Sequence, residues 1–256
     1  SLLFDEDGRN YIVYGNDEIW ITELNEDLTA PKKDGLHRLL VSDHKNPELG
    51  YEGSHIQKIN GYYYIFLIHS LRDRWMRTEA CFYSDSLEGE FTGGDVLCDD
   101  RGYCGQGVAQ GGIVDTPDGK WYAMLFQDSG AVGRIPILLP VTWKDHFPVF
   151  GQNGHVPEEI EVHSTRPGYI YQPLVGSDDF CNGLLPRWQF NHDPDPRYYH
   201  LDALQGTYTI TTREVCTELT QAVNTLTQRM SYPSCAAEVT VDASALKEGD
   251  VAGLCA

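Results

Sequence analysis

Four consecutive residues carry the clearest chemical potential: Glu52, Gly53, Ser54 and His55, the "EGSH" that stands directly in front of "IQKINGYYYIFLI". A carboxyl group at the mouth of a strand built for burial is a candidate proton donor or acceptor, because partial desolvation moves its pKa toward working pH. An isolated glutamate is more often a solvated loop acid. A single histidine such as His55 serves equally well as a packing residue or as an orienting group. The question is which elements hold these residues and which other group Glu52 works with.

The surrounding elements repeat. "LLFDEDGRNYIVYG", "HIQKINGYYYIFLI" and "GIVDTPDGKWYAML" each read as apolar run, turn, apolar run. The turns are Asp7-Gly8, Asn60-Gly61 and Asp118-Gly119, dipeptides that favour tight hairpins because their central residues accept positive φ. A tyrosine follows each glycine by three residues: Tyr11, Tyr64 and Tyr122. Further strands are expected at "EIWITELN", "TEACFYSD" and "RIPILLPVTW". A hairpin recurring every ~50–60 residues, with about four strands per unit, predicts a radial β-repeat whose small sheets bury their faces against each other. A β-sandwich with similar hairpins is the alternative. Three such blades do not close a ring. Ser1 opens directly into a strand and "DVAGLCA" stops within an apolar run, so the sequence reads as part of a longer protein.

After "DHFPVFG" the composition changes. Residues 152–173 are polar, with Pro and Gly, and read as a connector between a propeller region, 1–151, and a second β-rich region, 174–256. In the second region "GTYTITT" and "AAEVTVDAS" alternate like half-buried strands, and "NTLTQR" is read as a strand rather than a helix. The fold class is therefore all-β throughout.

The 256 residues carry a formal net charge of −19. Such a chain is a poor partner for nucleic acid or for an anionic membrane, whose phosphates need Lys and Arg. A neutral sugar meets no such barrier. The seven cysteines are scattered, odd in number and without a C-x-x-C pair, which argues against a zinc ribbon and points toward a reducing, cytoplasmic compartment. Compartment and oligomeric state are otherwise open.

At "YEGSHIQKINGYYYIFLI", "AQGGIVDTPDGKWYAMLFQDSGAVGRIP" and "VTWKDHFPVFG" the chain resembles glycoside hydrolase family 43. "SDDFCNGLLPRWQFNHDPDPRYYHL", "NTLTQR" and "EGDVAGL" resemble the start of the concanavalin-like β-sandwich that follows the propeller in β-xylosidase-like members. The resemblance implies the last three blades of a five-bladed propeller, then part of a β-sandwich. It implies hydrolysis of xylan- or arabinoxylan-type oligosaccharides with inversion, by an exo-acting β-xylosidase and/or α-L-arabinofuranosidase. Inversion uses two carboxyl groups about 6.5–9.5 Å apart, one protonating the leaving oxygen and the other activating water.

On this resemblance Glu52 is the general acid of the Glu-Gly-x-His motif, and His55 is an orienting residue behind it. Arg134 matches a sugar-contacting arginine. Gln110 stands where many members carry a histidine near the central axis, so it is expected to bind sugar, while a central calcium is in doubt and no metal or other cofactor is required. Asp128 could approach the funnel or remain a loop acid. Trp75 and the "CDDRGYCGQG" loop are expected to shape a sugar platform. The general base belongs to the family's first blade, and the pKa-tuning Asp falls two positions before Ser1. Asp5 and Asp7 sit at the turn end and do not replace them. The chain alone is accordingly expected to be inactive. A propeller that only binds carbohydrate is the competing reading.

Overall fold

The computed structural model describes residues 1–231 and 234–256, which divide into two compact units, Ser1–His163 and Ser164–Ala256. The division falls inside the 152–173 stretch. Among the described residues the only helical pieces are two three-residue turns, Gly130–Val132 and Leu219–Gln221.

The first unit is three four-stranded antiparallel sheets, each a simple meander. The first holds β1 (Leu2–Phe4), β2 (Asn10–Asn16), β3 (Glu18–Leu24) and β4 (His37–Ser42). The second holds β5 (Glu52–Ile59), β6 (Tyr62–Ser70), β7 (Arg77–Ser84) and β8 (Thr92–Leu97). The third holds β9 (Ala109–Asp115), β10 (Trp121–Asp128), β11 (Arg134–Lys144) and β12 (Phe147–Phe150). These are blades in the order the hairpin repeat predicts.

The uninterrupted apolar run of β6 has a direct cause. Side chains alternate between faces along a strand, and both faces of this middle sheet are covered. Tyr63, Ile65 and Leu67 enter a core shared with Tyr11, Val13, Ile19 and Ile21 of the first sheet. Tyr64 and Phe66 enter a second core with Ile113, Leu125, Leu139 and Phe150 of the third. The outer sheets are covered on one face only. Leu2, Phe4 and Tyr14 are exposed on the first sheet; Val114, Met124 and Val149 are exposed on the third.

The three hairpins do not share one turn geometry. Asn60 and Gly61 both take positive φ, 51° and 85°, a two-residue primed turn. At Asp7-Gly8 and Asp118-Gly119 only the glycine does. There Gly8 and Gly119 donate N–H to the carbonyls of Asp5 and Thr116, giving three-residue loops in which Asp7 adds a side-chain bond to the Arg9 N–H, 2.9 Å. Pro136 and Pro140 are tolerated in β11 because β12 pairs only with Val141–Lys144. The preceding part of β11 is an edge that needs no N–H.

In the second unit, β13 (Gln189–Phe190) pairs with β16 (Leu226–Thr227), and β14 (Tyr199–Asp202) pairs with β15 (Thr207–Ile210). "GTYTITT" and "NTLTQR" thus contain strands. "AAEVTVDAS" does not: its Val239 and Val241 are exposed, and among the described residues its backbone has no partner strand. Alternation alone cannot make a strand without an edge to pair with.

Asp5, at the turn end, ties the first two blades. It accepts from Tyr63 Oη at 2.5 Å and from Lys58 Nζ at 2.6 Å. Burial alone would raise its pKa, but the Lys58 and Tyr63 donors, with the Glu6 N–H and the Lys58 charge, together outweigh burial and hold it below the usual value. A depressed carboxylate stabilises the fold above its unfolded pKa and loses that contribution as pH falls through the folded value. Tyr63→Phe leaves a buried oxygen unpaired and is expected to cost about 1–3 kcal/mol at neutral pH in urea unfolding. That penalty should shrink as pH drops below about 4. An equal penalty at all pH values would contradict the assignment.

Candidate active site

The chemistry-bearing residues collect where β5 and β9 begin. The entrance to β5 is pinned from the first blade. Asp17, at φ 64°, donates its N–H to the Tyr51 carbonyl at 2.8 Å, and its carboxylate accepts the N–H groups of Lys45 and Asn46. Tyr51 itself is buried against His69 and Phe82. Glu52 is the first residue of β5. It is half-buried, and its Oε2 accepts from Asn16 Nδ2 at 3.2 Å.

Both inner strands are bulged at this end. Glu52 pairs with Ile68 but His55 pairs with Phe66, so one residue is extra. Gly112 pairs with Met124 but Ala109 pairs with Phe126, so β9 carries the same irregularity. Bulges re-aim side chains at barrel and sheet mouths. The residues in left-handed conformation are Gly53, φ 61°, and Gln110, φ 64°. They meet: a Cβ built on Gly53 would lie 2.1 Å from Gln110 Nε2. Residue 53 must be glycine both for its backbone and to leave room for that amide.

A second group forms beside them. The Arg77 guanidinium, at the start of β7 and only 3% exposed, bonds Asp128 Oδ2. Arg134 Nε lies 3.3 Å from the other oxygen of the same carboxylate. Both guanidiniums also lie over the Phe126 ring, 4.7 Å from its centroid for Arg77 and 4.5 Å for Arg134, within cation–π range. Burial pulls the Arg77 pKa below its usual value in spite of Asp128 and Glu52, whose charges act the other way. The Arg134 side chain keeps 64% of its surface open, so its remaining donors can reach a ligand.

Of the residues singled out from the sequence, Glu52 and Gln110 are brought together through Gly53, and Arg134 is fixed by Asp128. His55 is placed differently from a group behind the acid. It is solvent-exposed, its ring lies next to Gly112, and among the described residues it makes no hydrogen bond to Glu52. Protein packed along one side still lowers its pKa by desolvation. Trp75 and Tyr103 are exposed, with Trp75 resting on Gly105 of the 98–107 loop and the Tyr103 hydroxyl near Gly130. Trp121 and Trp143 pack edge-to-face on one another, at 5.3 Å.

Asn16, Arg77 and Glu79 escaped the sequence reading. Arg77 and Glu79 had a usable signal: two charges set in "RTEACFYS", a strand otherwise fit for burial. Among the described residues no three His, Cys, Asp or Glu side chains converge as a metal-ligand set, and Gln110 offers only a neutral amide.

Gly53→Ala tests the contact at the mouth. A Cβ at positive φ costs about 1–2 kcal/mol, and the Gln110 amide must swing away to admit it. Urea unfolding and a crystal structure of the variant would report both effects. An unmoved Gln110 with unchanged stability would contradict the packing.

The sequence model of glycosyl hydrolases family 43 matches residues 1–148, and that of the β-xylosidase C-terminal concanavalin A-like domain matches residues 177–256. A β-xylosidase of Formosa agariphila is 28% identical over 180 residues, 62% of this chain and 30% of its own length. A xylosidase/arabinosidase of Humicola insolens is 25% identical across the whole chain and 51% of its own length. Among solved structures, a bifunctional GH43-CE protein of Bacteroides eggerthii superposes with a TM-score of 0.76 at 42% identity, covering 91% of this chain and 30% of that one. A GH43 enzyme engineered for both endo-xylanase and exo-arabinofuranosidase activity gives a TM-score of 0.73 at 28% identity, covering 91% and 44%. The chain therefore spans about a third to a half of the length of these relatives. With its three blades, its bulged mouth and both domain matches in order, the chain belongs to glycoside hydrolase family 43.

Proposed function

We propose that this chain carries the proton-donating part of an inverting, exo-acting pentosidase. Its substrates would be xylan- or arabinoxylan-type oligosaccharides, and its activity that of a β-xylosidase and/or an α-L-arabinofuranosidase. The observation that carries this reading is the position of Glu52. It opens the inner strand of the middle blade, next to the Gly53–Gln110 contact. The names of the β-xylosidase and xylosidase/arabinosidase relatives support the pentosidase class.

In this reading the Glu52 carboxyl protonates the leaving glycosidic oxygen, while a second carboxylate activates water from the opposite side of the sugar. The Arg134 guanidinium offers a rigid fork of donors to sugar oxygens. The Arg77–Asp128 pair and the Phe126 ring hold that fork in place. Gln110 presents its amide above residue 53, where it can bond a sugar hydroxyl. The apolar outer faces of the first and third sheets are suited to pack against further blades of the same repeat. Such blades would bring the general base and the aspartate that tunes Glu52.

Assayed on aryl β-D-xylosides and aryl α-L-arabinofuranosides, this chain alone is expected to release no aglycone above background. Joined to the preceding blades it should turn over one or both substrates, and Glu52→Gln should lower that rate by about 10²–10⁴-fold. Turnover by the chain alone, abolished by Glu52→Gln, would sink the division of acids. Sugar binding without turnover in the longer protein would favour a purely carbohydrate-binding propeller.

A further inference from the structure

Glu79 is a carboxyl group that the reaction scheme leaves unused, and its setting is unusual. Its side chain is wholly buried on β7. Oε2 accepts the backbone N–H of Gln110 at 2.6 Å, and Oε1 is buried with no hydrogen-bond partner among the described residues. Gln110 in turn holds a left-handed backbone, φ 64°, that a non-glycine residue keeps only when its surroundings enforce it. From that backbone its side-chain amide reaches over Gly53, adjacent to Glu52.

We propose that Glu79 is a positioning residue: it locks the bulge of β9 through the Gln110 N–H and thereby sets the Gln110 amide against Gly53 at the sugar-binding mouth. Without this acceptor the Gln110 N–H would be a buried donor in a strained turn with no reason to stay there. The same geometry sets the ionisation state. An ionised oxygen with neither water nor donor is far costlier than a neutral carboxyl group. Burial drives the Glu79 pKa well above the usual carboxylate range, against the Gln110 N–H and Arg77, which favour the anion. Cys81 is the other titratable group that senses it, and burial followed by the Glu79 charge raises its thiol pKa as well. Gln at position 79 keeps an acceptor oxygen for the Gln110 N–H, and Leu removes it. The consequence for sugar rests on the glycosidase reading; the consequence for Gln110 does not.

The test is NMR on the isotopically labelled chain, with Glu79→Gln and Glu79→Leu. The Gln110 amide should exchange slowly in the wild type and in Glu79→Gln. In Glu79→Leu it should exchange about tenfold faster or more, and xylobiose affinity should fall by a similar factor while Glu79→Gln stays within about threefold of wild type. Undiminished Gln110 protection in Glu79→Leu overturns the proposal. Loss of that protection with full xylobiose affinity overturns the sugar-binding role. If Glu79→Leu does not fold, Glu79→Gln still decides: loss of Gln110 protection there, with an acceptor oxygen retained, overturns the proposal. If the wild type does not bind xylobiose, the glycosidase reading suffers, while the exchange results still judge Glu79.

Discussion

Everything in the first unit depends on one constraint: a small twisted sheet cannot bury both of its faces alone. The middle blade meets it fully. Its β6 sends alternate side chains into two separate cores, one with each neighbouring blade, and Ile65, Phe66, Leu67 and Ile68 are all withdrawn from water. Full burial of such side chains is worth about 1.5–3 kcal/mol each, and here the two neighbouring blades deliver it, one on each face. Glu52 stands at the end of the strand paired to β6, so its placement is a by-product of that double burial. The acid is held by the best-packed sheet in the chain.

The mouth is then shaped by two local irregularities rather than by regular strand geometry. Matching bulges in β5 and β9 put Gly53 and Gln110 in the left-handed region and press them together. Interactions from other strands enforce this. Asp17 pins the entrance of β5, Glu79 holds the backbone of Gln110, and Arg77 reaches across to Asp128. Each of these polar or charged groups is costly to bury unpaired, so the network tolerates few alternative arrangements. A site that positions an acid and donors around a sugar benefits from that intolerance.

The parts legible in the sequence were those governed by short-range chemistry. Asn60-Gly61 announced a hairpin because both residues accept positive φ, and the repeat of that pattern led to the blades. The shared geometry inferred for all three turns was too simple, since Asp7 and Asp118 keep negative φ and leave the left-handed step to glycine. Glu52 could be picked out only by its resemblance to a family motif; nothing in its own spacing distinguishes it from a loop acid. Gln110 was legible as a position but not as a conformation, because no local signal marks a left-handed glutamine. Glu79 and Arg77 depend on strands brought together by the fold, and such pairings are invisible along the chain. "AAEVTVDAS" failed in the opposite sense: its alternation was clear, but among the described residues no strand pairs with it.

The central claim is that the mouth formed by Glu52, Gln110 and Arg134 is where sugar meets this chain. Xylobiose titrated into the ¹⁵N-labelled chain tests it directly, followed through the Gln110 side-chain amide and the Arg134 Nε resonance. Saturable shifts concentrated on those two groups and on residues 52–54 are the result the account predicts. Shifts confined to other parts of the chain, with the Gln110 and Arg134 signals unmoved at saturation, would contradict it.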